Sequence, residues 1–503
     1  MRVKSILNSE FSFMNYFTKP RIHRGTALAT AGALVLFTLQ GCTPLMPKYE
    51  RPTPSVESSF PSVDPLTTKD FTSRATSSVA QVSTNGLSWQ EFVADASLRE
   101  VIAIALNNNR DLRIAALQIE KSQAQFNVTQ ASLFPQINAS VGNTSAKTPA
   151  NLTTSGQVSI MHDYTSGLGF SAYELDMFGR LQSLKAAAFE QYLSTSQAAL
   201  SVKISLIAQV ATQYYTLSAD QAHLHLSEQT LAAQVQSYDI DKKRFDLGVI
   251  SELDLSQSRT SIETARVDIS RYKSLVAQDL NLLNQLVGKA VPDSLLPKDF
   301  LTQAGVTSLA PGLPSDLLRN RPDILDAEHQ LIATNANIGA ARAAYFPSIT
   351  MTTFYGSASP SLSGLFGSGS RSWLFVPQLN LPIFDGGRIS ANLKTAETNQ
   401  KIAIELYQKA IQTAFREVAD SLAVQENIKS ELTAQESLVE ATALSFKLSQ
   451  ARYQNGINSY LNVLDSERSL YTAKHNLIAL KLSQAANQFT LYKALGGGAP
   501  KAK

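Results

Sequence analysis

The sequence predicts a mainly α-helical chain with transmembrane β-strands, assembled from a duplicated unit of long helical hairpins with four strands per protomer. Three observations carry this. Gly and Pro are absent between Gly179 and Gly248, and again between Gly387 and Gly456. The same punctuation recurs at an offset of 208 residues. Each half also holds two weakly alternating segments that begin just after a Phe-Pro pair.

At the N-terminus, Lys19, Arg21 and Arg24 precede an apolar run from Ala27 to Leu39 that ends in Leu39-Gln40-Gly41-Cys42. A basic region, a short apolar stretch and small residues at its end read as a secretory signal, too short to span a bilayer as a helix. The basic region is long, and a start at Met14 is an alternative. Leu-Gln-Gly-Cys resembles a bacterial lipoprotein box, which implies cleavage before Cys42 and acylation of that residue. A plain signal peptide with an incidental Cys is the other reading. Residues 1–41 are thus assigned to the signal and 42–96 to a lipidated, extended arm, rich in Pro, Ser and Thr over 43–88.

The duplication is explicit in the residues. Across 244–288 against 452–496, 12 of 45 positions match, where background composition gives about 3. Each half reads as a medium helix, Phe-Pro, two strand-like segments, a very long helix, a Gly turn and a helix of up to 39 residues. The first repeat spans 97–290, with strands at about 135–176 and a hairpin tip at 244–255. A linker covers 291–321. The second repeat spans 322–496, with strands at about 347–384 and a tip at 452–463, and 497–503 forms a tail. At 1.5 Å per residue the long helices reach ~100 Å, a length that requires lateral, coiled-coil-like packing. Gly248 and Gly456 suit the left-handed residue that ends a long helix. Ser251 and Ser459 suit the caps of the helices that follow.

The strand segments alternate, as in Gln136-Ile137-Asn138-Ala139-Ser140-Val141 and Ser348-Ile349-Thr350-Met351. Their partners are Gly167–Leu175 and Trp373–Leu381, where Pro377 suggests a bulge. One-sided segments of this length are the signature of a membrane barrel, although surface hairpins of a soluble protein remain open. Four strands cannot close a barrel. Eight strands, from a dimer, enclose only side chains, whereas twelve from a trimer leave a lumen. A conducting reading therefore requires at least a trimer.

Composition narrows the function. Charged residues make up only 17% and the net charge is +3, which excludes binding to nucleic acid through an overall basic field. A single Cys excludes a disulfide framework and thiolate metal clusters. Six scattered His residues suggest no metal set, and no cofactor is expected. There is no Walker loop and no Gly-x-Ser-x-Gly, so the chain reads as no enzyme, and energy for transport must come from a partner.

Several motifs together carry a family resemblance: Pro47-x-Tyr49-x-x-Pro52, Trp89-x-x-Phe92, Tyr173 to Arg180, Arg321-Pro-Asp-Ile324, Pro382 to Arg388 and Phe415 to Asp420. With the duplicated hairpins they resemble the TolC-type outer-membrane efflux factors, and with the lipoprotein box the OprM/NodT-like branch. The resemblance implies a homotrimer with a 12-stranded barrel in the outer membrane and an α-helical tunnel in the periplasm. Such a channel is the passive exit duct of a tripartite pump for drugs or other small molecules. Its implied partners are a periplasmic adaptor protein that opens the tip, an inner-membrane transporter, usually of the resistance–nodulation–division type, and outer-membrane lipid.

By the same resemblance Gly248, Val249, Ser251, Leu253, Gly456, Ile457, Ser459 and Leu461 are adaptor contacts at the tips. Tyr453, Leu461, Asn462, Asp465 and Asp254 map onto the periplasmic gate. Asp254 stands three after Ser251, so local helix capping competes with that role. Asp465 lies beyond any cap, and three copies would form an acidic ring favouring cations; a solvated Asp beside Arg468 is the alternative. Asn458 and Asn462 stand where TolC carries Arg and Asp, so closure here would lean on Leu461 and Asp465. A duct for type I secretion or metal efflux is an alternative function, and a lipid-anchored coiled-coil scaffold without a pore is a more remote one.

Overall fold

The computed structural model describes residues 45–54, 56, 82–83, 88–298, 309–310 and 321–497. The signal segment, Cys42, most of the inter-repeat linker and the tail beyond Gly497 lie outside the described residues. In chain order the elements are β1 (Val82–Ser83), α1 (Trp89–Phe92), α2 (Ala96–Asn108), α3 (Arg110–Ala131), β2 (Asn138–Thr148), β3 (Ser159–Leu175), α4 (Arg180–Asp246), α5 (Glu252–Val287), β4 (Leu309–Ala310), α6 (Pro322–Ala343), β5 (Ser348–Ser359), β6 (Arg371–Asn380), α7 (Arg388–Gln454) and α8 (Tyr460–Ala494). The chain divides into two compact units, one holding the strands and the other the long helices.

The strand unit is a four-stranded antiparallel sheet in the order β2-β3-β5-β6. Its register puts Ala139, Leu168, Tyr355 and Trp373 in one cross-strand row. Phe170, Thr353 and Phe375 form another, and Leu175, Ile349 and Leu379 a third. Directly paired residues share a face, so one face is mainly apolar and aromatic, while the other mixes Ser372, Thr352, Thr350 and Gln378 with Phe354, Leu374 and Val376. Trp373, Phe375 and Leu379 are exposed in the single chain, as lipid-facing strands require.

Pro377 does not mark a bulge. It pairs with Met351 in unbroken register, on a strand at the edge of the chain's sheet. The bulge lies in β3 instead, between Phe170 and Tyr173. There Ala172 takes φ 54° and its amide donates to Thr352 Oγ1 at 3.1 Å. A non-glycine residue in that region is strained by roughly 1–3 kcal/mol, and the side-chain acceptor holds it in place.

In the helical unit α4 and α7 are each 67 residues, and α5 and α8 are 36 and 35. The Trp89-x-x-Phe92 motif explains a core contact: Phe92 is fully buried, stacked on Tyr492 at 4.5 Å and edge-on to Phe489 at 5.4 Å. Around it gather Leu98, Ile102, Val210, Tyr214, Leu283 and Leu491. The arm itself lies against α6 and α7. Arg51 grips Glu328 through two nitrogens at 2.6 and 2.7 Å, Tyr49 donates to the same carboxylate at 3.1 Å, and Asn335 donates to the Pro47 carbonyl at 2.8 Å. Arg321 ties two further motifs together. It is 4% exposed, pairs with Asp323 and Glu417, and donates to the Ala494 carbonyl at 2.9 Å.

Candidate gate and partner-docking tips

Each long helix ends in the same way. After α4, the Gly248 amide donates to the Phe245 carbonyl at 2.8 Å and the Val249 amide to Arg244 at 2.8 Å. After α7, Gly456 donates to Tyr453 at 2.9 Å and Ile457 to Arg452 at 2.9 Å. This double closure requires a left-handed residue at its centre, and Gly248 and Gly456 supply it with φ of 71° and 72°.

The two restarts differ. Ser251 caps α5 in a reciprocal box: its Oγ accepts from the Asp254 amide at 3.2 Å, and the Asp254 carboxylate accepts from the Ser251 amide at 3.2 Å and hydroxyl at 2.7 Å. Ser459 has the extended backbone of a cap, but its side chain makes no capping bond. The residue three on is Asn462 rather than Asp254's carboxylate equivalent, and its amide turns to the Ser459 carbonyl at 3.2 Å.

Apolar side chains gather on the outside of these turns. Val249 and Leu253 are exposed at the first and Ile457 and Leu461 at the second, with Leu461 57% exposed. Beyond the second turn α8 is two-faced. Tyr460, Val463 and Leu464 are buried with Phe446 and Tyr453, while Leu461, Asn462, Asp465 and Arg468 form an exposed stripe. The structure therefore places three of the expected gate residues on one solvent-facing line.

The other two stand apart from that line. Asp254 is occupied by the cap of α5 on the first hairpin. Tyr453 turns inward, and its hydroxyl donates to Asp241 Oδ1 on α4 at 2.8 Å. Arg244 lies over the Tyr453 ring at 5.0 Å and donates to the Gln454 carbonyl at 3.1 Å. Tyr453 also packs on Tyr460, ring centroids 5.2 Å apart. Burial raises the pKa of Asp241, which is 1% exposed, while the Tyr453 hydroxyl and the Arg244 charge pull it back. Burial and Asp241 together push the Tyr453 hydroxyl up to about 12.

Asp241 and Arg244 were not among the residues the sequence singled out. Asp241 sits among Asp239, Lys242 and Lys243 with no periodic cue to its burial. Arg244 had a signal, being identical to Arg452 at the 208-residue offset. Among the described residues no group of His, Cys, Asp or Glu is placed to hold a metal ion, and no helix is long and apolar enough to cross a membrane.

Comparison with known proteins places this architecture. The family described as outer membrane efflux protein matches residues 101–289 and 313–497. The probable efflux pump outer membrane protein TtgC of Pseudomonas putida is 43% identical over 93% of this chain and 94% of its own. The outer membrane protein OprJ of Pseudomonas aeruginosa is 38% identical over 94% and 97%. Among solved structures, a membrane protein from Pseudomonas aeruginosa superposes with a TM-score of 0.84 at 36% identity, covering 92% of this chain and 99% of that one. The open-state MtrE outer membrane channel of Neisseria gonorrhoeae gives 0.79 at 33%, covering 91% and 99%. A helical hairpin duplicated at a fixed offset, each copy feeding two strands of one membrane sheet, is the architecture those channels share, and the chain belongs to the outer membrane efflux protein family, whose members are passive channels and not enzymes.

Proposed function

We propose that this channel is anchored in the outer membrane through an acylated Cys42 and opened by an adaptor that docks on the Gly248 and Gly456 tips. Its inner-membrane partner is a resistance–nodulation–division transporter, and its cargo is small apolar or amphiphilic molecules. Relatives named for toluene efflux in Pseudomonas putida and for antibiotic efflux in the same organism favour that cargo over a secreted protein or a metal ion. Anchoring through Cys42 is consistent with ~0.8 kcal/mol per buried CH₂, since two or more chains hold a protein stably at a bilayer.

The observation that carries the gate assignment is the exposed stripe of Leu461, Asn462 and Asp465 opposite the buried face of α8. In a trimer, Leu461 narrows the aperture by excluding water and the three Asp465 carboxylates select cations. Tyr453 holds the second hairpin to the first through Asp241, and Asp254 acts through the cap of α5. Val249, Ser251, Leu253, Ile457 and Ser459 complete the docking surface at the turns. The joint variant Leu461→Ala with Asp465→Ala is expected to raise single-channel conductance in planar bilayers, and unchanged conductance sinks the gate assignment. Mass spectrometry of the mature N-terminus reports the acyl chains on Cys42 directly.

A further inference from the structure

A second inter-hairpin contact lies away from the tips, and the export role makes no use of it. His223 of α4 is 6% exposed and lies face to face with His475 of α8, ring centroids 4.1 Å apart and planes 30° from parallel. Tyr272 of α5 stacks on His223 at 5.0 Å, and its hydroxyl is 2.6 Å from His475 Nε2. One helical turn along on all three helices, Tyr471 donates to Asp268 at 2.9 Å and shares a hydrogen bond with Ser227 at 3.0 Å. Apart from the Tyr272–His223 stack, which lies within the first hairpin, each of these contacts joins α8, from the second hairpin, to α4 or α5 of the first.

The arrangement suits neutral imidazoles. The Tyr272–His475 bond runs in either direction, the hydroxyl donating to a bare Nε2 or accepting from a protonated one, so a neutral ring satisfies it without added charge. His223 Nδ1 is buried with no hydrogen-bond partner among the described residues, so a proton there would meet no acceptor. Two imidazolium rings at this separation repel each other, and Arg271, 5.8 Å over the Tyr272 ring, adds a third positive charge. We propose that the His223–His475 stack is an acid-released clasp, which holds the two hairpins together while both rings are neutral and lets α7 and α8 shift against α4 and α5 once protons enter. The proposal rests on reading the chain as a gated channel, and the test below separates the two.

The signs agree with this role. Burial, then His475 and Arg271, push His223 down to about 4. Burial also lowers His475, opposed by Asp268 and reinforced by Arg271. Free imidazoles titrate near 6.5. As pH falls from there toward 4, the released state takes up protons that the clasped state refuses. Its population then rises by up to roughly tenfold per pH unit for each ring.

Asp220, beside the stack, behaves oppositely. Burial and Asp279 of α5 push Asp220 of α4 up to about 6, with Arg271 pulling it back. Asp220 packs best when protonated, and its contribution is lost as pH rises through 6. Asp220 and Asp279 join α4 to α5 within one hairpin, whereas the imidazoles join separate hairpins. Acid therefore tightens the first hairpin over the range in which it frees the second. Asp241, raised by burial, likewise favours its packed state at low pH, so release is expected to begin at the imidazole stack and reach the tip last.

The test uses the purified full-length protein in lipid bilayers between pH 7.5 and 4.5. Amide exchange along α8, corrected for the intrinsic pH dependence of exchange, reports the clasp. Single-channel conductance reports the gate. Protection around His475 is expected to fall by roughly tenfold or more between pH 7 and 5, with conductance rising over the same range. In His475→Gln the pH dependence of protection should weaken, and in His475→Gln combined with His223→Phe it should be lost. Protection that is flat with pH in the unmodified protein overturns the proposal, as does an unchanged pH profile in the variants. Loss of protection on acidification in a protein that never conducts would support the clasp and count against the channel reading instead.

Discussion

The Tyr453 hydroxyl donates to Asp241 Oδ1 at 2.8 Å and so bonds α7 to α4 just short of both hairpin turns. Asp241 has few other ways to be satisfied, being almost fully buried. A hydrogen bond to a charged group contributes about 1.5–3 kcal/mol, equivalent to tenfold or more in the balance between closed and realigned tips. Tyr453→Phe should therefore raise the open fraction of single channels in planar bilayers by about that factor. Asp241→Asn keeps an acceptor and should have a smaller effect. Equal effects would mean that the bond does not hold the tip.

The two tip serines separate a capping role from a merely similar position. Ser251→Ala removes the hydroxyl half of a reciprocal cap, leaving only the backbone amide's bond to Asp254, and should destabilise the start of α5 by about 1 kcal/mol. It would be seen as faster amide exchange over the first turn of that helix. Ser459→Ala removes no capping bond, and exchange at the start of α8 should stay as it is.

Arg321 is a junction rather than a surface charge. Its guanidinium is enclosed by Asp323, Glu417 and the Ala494 carbonyl. The two carboxylates are about a third exposed, 38% and 32%, so water screens them once Arg321 is gone and the loss should fall below the roughly 3–5 kcal/mol of a fully buried pair. Arg321→Ala should lower the melting temperature markedly. Arg321→Lys should recover only part of it, because an ammonium cannot bridge the same three acceptors in one plane.

Glycines that look alike in sequence should respond differently. A Cβ on Gly248 meets nothing within 4 Å, so Gly248→Ala carries only the left-handed backbone penalty of about 1 kcal/mol. A Cβ on Gly288 would stand 2.5 Å from the Asn108 carbonyl, where α2 ends. Gly288→Ala adds that clash to a φ of 80° and should shift the thermal midpoint substantially further than Gly248→Ala.

The long helices were legible because Gly and Pro punctuate a chain otherwise free of both, and the 208-residue offset located each turn twice. The strand pairs were legible through their alternation after Pro135 and Pro347, yet the bulge was not. A proline is tolerated in an edge strand without a bulge, and Pro377 keeps its register with Met351. Ala172 in a left-handed conformation carries no mark in sequence, because its support comes from Thr352, some 180 residues away. The gate divided in the same way. Leu461 and Asp465 were proposed through a family resemblance that the sequence itself carries, whereas Asp241 becomes significant only when α7 lays Tyr453 against it.

The open sheet has a consequence for biogenesis. β2 and β6 are the two edges of the sheet, and neither has a further partner among the described residues of its own chain. In hydrocarbon each unpaired backbone group carries a penalty of several kcal/mol, so a lone protomer has no stable membrane-inserted state. Insertion and subunit association must then occur as one event. The rate at which channels mature should rise steeply with the local density of newly exported chains, and a shortage of partners would leave protomers waiting in the periplasm rather than half-built in the membrane.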